Sequence, residues 1–361
     1  MTPLRLLLAA VLATALIGSA RADLTASLSK GSVELKTPGP MAFGPDSVLF
    51  VSDLANATIY AIGTGDQATG DRKAALNIDK LNEKVAEMLG STTKNTIIGD
   101  MKVNPATGNV FLAVARTGSG GVILRIDKAG KITEQQLKSV PMARFTLSTQ
   151  PTNERARQQT ITCLAFMNDR LFVAGLSNEE FASTLRSVPF PFKEAEQTTP
   201  VEIYHGAHGK WETRSPVRTF LACEINGQSH LLAAYTCTPL VKFPVENLKK
   251  GERIRGVTVA ELGFGNSPLS MIEYQKDGKT YVLVTNTARG VMKLAKDDIA
   301  KADAIPEQQV GRQQVTAGPK YEVVMKPGDG DVRLDKLNDS MIVMLVKARS
   351  GVIDLKSAEL P

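Results

Sequence analysis

Short apolar runs alternate with polar positions along this chain, and they come in triplets: a strand, a tight turn, a second strand, a short polar loop and a third strand. The triplet is written six times, as MAFGPDSVLFVSDLANATIYAI from Met41, MKVNPATGNVFLAVARTGSGGVILRI from Met101, TCLAFMNDRLFVAGL from Thr162, TFLACEINGQSHLLAAYTCTPLVKF from Thr219, LSMIEYQKDGKTYVLVTNTARGVMKL from Leu269 and VRLDKLNDSMIVMLVKARSGVIDL from Val332. The middle strands centre on Phe50, Leu112, Phe172, Leu232, Val284 and Met344, at intervals of 62, 60, 60, 52 and 60 residues. A unit that cannot bury both its apolar faces alone, repeated at near-constant spacing, predicts a closed array of such units. The expected fold is all-β, a six-bladed β-propeller.

Each copy supplies the innermost strand a, the middle strand b and, after a loop, strand c of a four-stranded blade, with turns such as Asn226-Gly227 that suit tight hairpins. The last copy leaves too few residues for a fourth strand of its own. SVELK, residues 32–36, precedes the first copy and alternates as a strand does, which predicts that this N-terminal strand closes the last blade and removes an open sheet edge. Helical and loop insertions are expected on the face that carries the b–c and d–a connections, around blades one to three. Residues 79–89 have helical spacing at Leu81, Val85 and Met88 with Asp79 as cap, residues 138–159 cross from blade two to blade three, and residues 177–199 read as an insertion between strands b and c of blade three. Long loops on a rigid scaffold are where binding concentrates, so this is the expected functional face.

Residues 1–22 stand outside the repeat. Arg5, an apolar run from Leu6 to Ile17 and the triplet Ala20-Arg21-Ala22 have the layout of a secretory signal peptide cleaved before Asp23. The expected product is one propeller domain, residues 23–361, monomeric and periplasmic or secreted. No later segment reaches the roughly 18 uninterrupted apolar residues of a membrane helix. The net charge of +6 comes from 43 basic and 37 acidic side chains dispersed along the chain, a pattern that disfavours a nucleic-acid partner. Three cysteines leave at least one outside any disulfide. The turn at Asn226-Gly227 sets Cys223 opposite His230, so if a disulfide forms it joins Cys163 to Cys237 across neighbouring blades; three buried thiols is the leading reading.

The ends of the b strands form a ring around the channel mouth that includes Asp53, Arg116, Asn178, Asn286, Arg289 and Arg349, and the starts of the a strands add Asp100, Arg218 and Asn266. Arginine presents a planar fork matched to carboxylate or phosphate, so this mouth suits a small anionic ligand or an acidic protein partner. His205 and His208 have metal-like spacing, but a two-histidine turn without a third ligand does not define a metal site, and the repeat assigns it to a c–d hairpin on the opposite face. Gly328-Asp329-Gly330-Asp331 offers paired carboxylates for Ca²⁺, although such runs are commonly turns. No nucleophile elbow, haem-attachment motif or phosphate-cradling loop is present in the sequence.

The first repeat, FGPDSVLFVSDLANATIYAI, resembles those of NHL propellers and of the six-bladed lactonase superfamily that includes SMP-30/gluconolactonase-like proteins. In those lactonases a Glu-Gly-Pro triplet opens the first inner strand and its Glu helps hold the catalytic divalent ion; here the triplet is Pro38-Gly39-Pro40. The resemblance implies a metal-dependent lactonase or esterase, with Ca²⁺ held among Asp53, Asp100, Asn266 and Asn286. With Pro38 in place of that Glu, the leading expectation is an exported propeller that binds a small ligand or protein partner through its loop-rich face. A redox or cofactor accessory role is the third reading.

Overall fold

A computed structural model describes residues 24–67, 74–178, 180–237, 239–305, 316–326 and 330–361. Residues 1–22, read from the sequence as a signal peptide, and the Gly328-Asp329 half of the candidate calcium turn lie outside the described residues. Six small antiparallel sheets stand around one axis as the blades of a propeller. The expected hairpins form: Asn168-Asp169, Asn226-Gly227 and Asp277-Gly278 all have positive φ at both central residues, the turn geometry whose twist matches the strands it joins.

The chain does not visit the blades in ring order. Strands a to c of blade one are Pro38–Phe43, Val48–Asp53 and Thr58–Gly63, but its strand d is Val140–Thr146, with Ser29–Gly31 paired outside it. Between strands c and d the chain builds the whole of blade two: Thr96–Val103, Val110–Arg116, Gly120–Ile126 and Ile132–Glu134. The inner strands then pack in the order one, three, four, five, six, two and back to one. Each junction of that ring has its own apolar core. Phe50 and Ile59 of blade one meet Leu171 and Val173 of blade three, while Leu112 and Val114 of blade two meet Val343 and Leu345 of blade six. A fully buried aliphatic side chain contributes about 1.5–3 kcal/mol, so both faces of every blade depend on a neighbour.

Closure falls between blades six and two, and SVELK does not make it. Val33 and Leu35 are buried as their alternation predicts, but between blades one and two. The Val33 N–H donates to the Leu137 carbonyl at 2.8 Å and Leu35 bridges Gly121, one junction away from the last blade. The edge of blade six, Ile353–Glu359, is covered instead by residues 76–82, the link between blades one and two. Ile78 and Leu355 exchange backbone hydrogen bonds of 2.8 and 2.9 Å. Ser357 Oγ accepts from the Leu76 N–H and donates to the Leu76 carbonyl, both at 2.6 Å. The Asn82 side chain donates to the Gly351 carbonyl at 3.1 Å and accepts from the Ile353 N–H at 2.9 Å.

The three decorated segments are also partly scaffold. A helix at Leu81–Met88 forms as its spacing predicts and sends Leu81 and Val85 into the core between blades two and six; Lys80, at φ 53°, occupies its N-cap in place of Asp79. Residues 138–159 contain strand d of blade one and a short helix, Glu154–Arg157. Residues 177–199 are not an insertion. Ser183–Pro189 is strand c of blade three and Gln197–His205 its strand d, which makes Lys210–Glu212 a fifth strand. No helix among the described residues is long and apolar enough to cross a membrane.

The seam can be tested one side chain at a time. Ile78→Ala should cost about 2–5 kcal/mol and open the last blade to protease. Leu35→Ala, at a different junction, should leave blade six protected. Limited proteolysis with the cleavage sites mapped by mass spectrometry distinguishes the two variants.

Candidate functional site

Antiparallel blades put the starts of all inner strands on the face that carries the b–c and d–a connections. There they enclose a cavity of about 340 Å³ at the channel mouth. A second cavity of about 390 Å³ opens at the a–b turns on the other face. Lys102 and Leu164 line both, so the waist of the channel lies at their level.

Alternation within two inner strands supplies the charges. In Asp100-Met101-Lys102-Val103, the side chains of Met101 and Val103 enter the core shared with blade six, and Asp100 and Lys102 face the channel. In Val332-Arg333-Leu334-Asp335, Val332 and Leu334 enter the core shared with blade five, and Arg333 and Asp335 face the channel. Each carboxylate is pinned to the next blade: Asp100 Oδ2 accepts from the Met41 N–H at 2.7 Å, and Asp335 Oδ2 from the Val103 N–H at 2.8 Å. Burial raises the Asp100 pKa above the ordinary carboxylate range, against the pull of Lys102 and Arg333. Burial lowers that of Lys102, but Asp335 and Asp100 outweigh it and hold the ammonium above its ordinary value. Arg218 and Arg333 stay exposed at the mouth. Lys102 at the waist and Arg218 and Arg333 above it therefore stand against Asp100. A groove of about 830 Å³ between blades two and six leads on from Gly99 and Arg333, with Lys94 and Lys347 set against Glu83 and Asp331.

Of the residues singled out in the sequence, the structure brings Asp100 and Arg218 together in this mouth. Asp53 is fully buried, its Oδ1 accepting from the Thr37 N–H at 2.8 Å and its Oδ2 from Asn56 Nδ2 at 2.7 Å, so it fixes the turn after strand b of blade one. Asn266 is buried and ties two turns: its Oδ1 accepts from the Ala288 N–H at 3.0 Å and its carbonyl from the Cys237 N–H at 2.7 Å. Asn286, also buried, donates to the Val284 carbonyl at 3.1 Å. Arg116 donates to the Ser119 carbonyl of its own turn at 3.3 Å. The Arg289 guanidinium lies on Gly263, where a Cβ would stand 2.2 Å from Nε. Asn178 and Arg349 are exposed. Only Asp100 among Asp53, Asp100, Asn266 and Asn286 faces the cavity, so these four do not fit a Ca²⁺ centre. Pro38 has a packing role: its ring lies on Gly121, where a Cβ would meet Cδ at 2.2 Å.

The three cysteines are thiols, as the leading reading has it, with Cys223 buried and Cys163 and Cys237 half-buried; the alternative Cys163–Cys237 disulfide does not form. Cys163 Sγ lies on the inner strand of blade three against Thr219 and Phe220, whereas Cys237 belongs to the b–c turn of blade four. Cys223 faces His230, as the turn predicts. His205 and His208 lie on the mouth face and not opposite it, because the additional strand in blade three reverses the direction of the hairpin that carries them. Lys102, Arg333 and Asp335 were missed in the sequence. Their signal was a charge at every second position of an inner strand, which cannot enter an interblade core.

The sequence matches no protein-family model and no curated protein. Among solved structures the chain is similar to the PQQ-bound aldose sugar dehydrogenase of Streptomyces coelicolor, at 14% identity and TM-score 0.36 over 92% of this chain and 97% of that one. It is similar to the virginiamycin B lyase of Staphylococcus aureus at 9% identity and TM-score 0.38, over 92% of this chain and 100% of that one. It is also similar to the GH43 endo-arabinanase of Bacillus licheniformis at 13% identity and TM-score 0.39, over 74% of this chain and 94% of that one.

Burial favours the protonated form of two of the thiols. It pushes Cys163 above the ordinary thiol range and Cys223 up to about 12. At pH 8 a thiol with the latter value is thiolate in about one molecule in ten thousand. Iodoacetamide at pH 8 should therefore leave Cys223 unmodified in the folded protein and label it after denaturation, as read by peptide mass spectrometry.

Proposed function

We propose that this protein is an exported propeller that binds a small organic anion at the mouth of its channel. The cationic cavity carries the reading. Lys102, Arg218 and Arg333 surround a volume of about 340 Å³, within the usual size of a small-molecule site. Met41, Leu54, Ile161 and Leu164 line the remaining walls, so the ligand pairs one or two anionic groups with a compact apolar or sugar-like body. Lys102 remains charged beside two carboxylates, and a cation held in a recess attracts an anion more strongly than one in open water. Kinship with NHL and SMP-30/gluconolactonase-like propellers rests on the first repeat, and the binding reading does not depend on it.

Calorimetric titration with small carboxylates, sugar acids and organic phosphates, each beside a neutral analogue, tests the site. Binding should be confined to anions and weaken with added salt. Arg218→Ala and Arg333→Ala should each lose about 1.5–3 kcal/mol, roughly tenfold to a hundredfold in Kd. Equal binding of neutral analogues, or a double variant that binds like the parent, would sink the proposal.

Export rests on Arg5, the apolar run after it and the Ala20-Arg21-Ala22 triplet. N-terminal sequencing of protein recovered from the host should begin at Asp23. An intact Met1 terminus in the cytoplasmic fraction would show that the segment is not cleaved.

A further inference from the structure

A second site stands apart from the channel, where blade three meets blade four on the same face. We propose that His205, His208 and Cys237 form a three-ligand site for a soft or borderline transition-metal cation, Zn²⁺ or Cu⁺, with a fourth position open to solvent or ligand. One nitrogen of each imidazole and the Cys237 sulfur all lie within 4.8 Å of one another. The two histidines flank the tight turn between Gln197–His205 and Lys210–Glu212, with ring centroids 3.8 Å apart. Cys237 comes from the b–c turn of the next blade, so ring packing assembles the trio and the spacing of the histidines alone does not show it.

Three further observations point to a bound cation. His205 is 2% exposed, yet its Nε2 has no hydrogen-bond partner among the described residues. Leaving such a nitrogen unsatisfied costs about 1–3 kcal/mol, and a buried orphan of this kind calls for a ligand. Glu212 faces Nδ1 of both rings. Its Oε1 is 2.6 Å from His208 Nδ1, and its Oε2 is 3.2 Å from His205 Nδ1, a contact within ion-pair distance but off hydrogen-bond geometry. A carboxylate behind Nδ1 fixes the tautomer and turns Nε2 toward a metal, the usual support of a metal-ligating histidine. The hairpin and the thiol are also held in place. Glu261 Oε1 accepts from the Gly206 N–H at 2.6 Å, between the two histidines. Cys237 is kept at φ 64°, a left-handed conformation uncommon for a residue with a Cβ, by its N–H bond to the Asn266 carbonyl.

The donor set selects the cation class. Two imidazoles and a thiolate suit Zn²⁺ or Cu⁺, whereas Ca²⁺ and Mg²⁺ require oxygen ligands. On binding, the Cys237 sulfur loses its proton to solvent and donates to the metal as thiolate.

The test uses the full mature chain, stripped with a chelator and reloaded with Zn²⁺, Cu⁺ or Co²⁺ as a spectroscopic probe. One equivalent per chain is expected. Co²⁺ should give a thiolate-to-metal charge-transfer band in the near ultraviolet that Zn²⁺ or Cu⁺ displaces and excess Ca²⁺ does not. Cys237→Ser should abolish the band, and Glu212→Gln should weaken binding tenfold to a hundredfold. Cys163→Ser, a thiol outside the trio, should change neither. Circular dichroism confirms that each variant is folded. Displacement by either Zn²⁺ or Cu⁺ supports the site and shows which cation it prefers. A band that persists in Cys237→Ser, displacement by Ca²⁺, or less than stoichiometric binding by the parent chain overturns the proposal.

Discussion

Each blade of this protein is a twisted sheet with apolar side chains on both faces, and neither face can be buried within the blade itself. Everything else depends on satisfying both at once. Six apolar cores, one at each junction, meet that demand, and the ring has no free face left over. The same demand fixes where function can sit. Side chains in the blades are committed to packing, so chemistry is left to the strand starts around the axis and to the turns between neighbouring blades.

Nesting blade two inside blade one creates a second problem, because the chain must leave a half-built sheet and return to it. Buried polar groups hold both passages. Where the chain leaves, the Asp66 carboxylate accepts from Asn104 Nδ2 at 2.8 Å, Thr107 Oγ1 at 2.6 Å and Asn109 Nδ2 at 2.8 Å, and pairs with Arg125 at 3.2 Å. All four partners belong to blade two, so the end of blade one is tied to the sheet nested within it. Where the chain moves on to blade three, the buried Arg186 guanidinium donates to the carbonyls of Thr149, Thr160 and Leu176. Burial lowers its pKa to about 10, and Glu196 opposes that shift, so the group remains a cation at neutral pH. A buried charge needs a counter-charge and hydrogen bonds, and here the Glu196 carboxylate, 4.0 Å from Nε, and the three carbonyls specify the crossing.

The number of blades and most of the hairpins were legible because they are local. Alternation marks a strand, and Asn-Gly or Asp-Gly marks its turn. Ring order is not local. Blade two sits between blades one and six because of the surfaces it presents, which the repeat spacing does not encode, and SVELK was assigned to the last blade on the assumption that sequence neighbours are ring neighbours. Strand c of blade three was hidden for a different reason. Ser183–Pro189 buries polar side chains, Thr184 bonded to the Gly175 carbonyl at 3.1 Å and Arg186 to three others, so the apolar pattern of a strand is absent. Overlooking that one strand reversed the face assigned to His205 and His208 and concealed their approach to Cys237. At the channel, Asp100 and Arg218 were legible as strand starts, whereas Lys102, Arg333 and Asp335 lay deeper in the same alternation.

Closure and the binding mouth rest on the same contacts. Asp100 belongs to blade two and is bonded to the backbone of blade one; Asp335 belongs to blade six and is bonded to the backbone of blade two. The carboxylates that hold Lys102 charged are therefore fastened across the two junctions that flank the nested blade. If the seam between blades six and two parts, Asp335 and Arg333 move away from Lys102 and Asp100, and the three-cation mouth loses its geometry. A chain that has folded five blades without joining the last to residues 76–82 has most of its core but no such site. The cationic mouth is thus a property of the closed ring, and its ordering is coupled to closure of that seam.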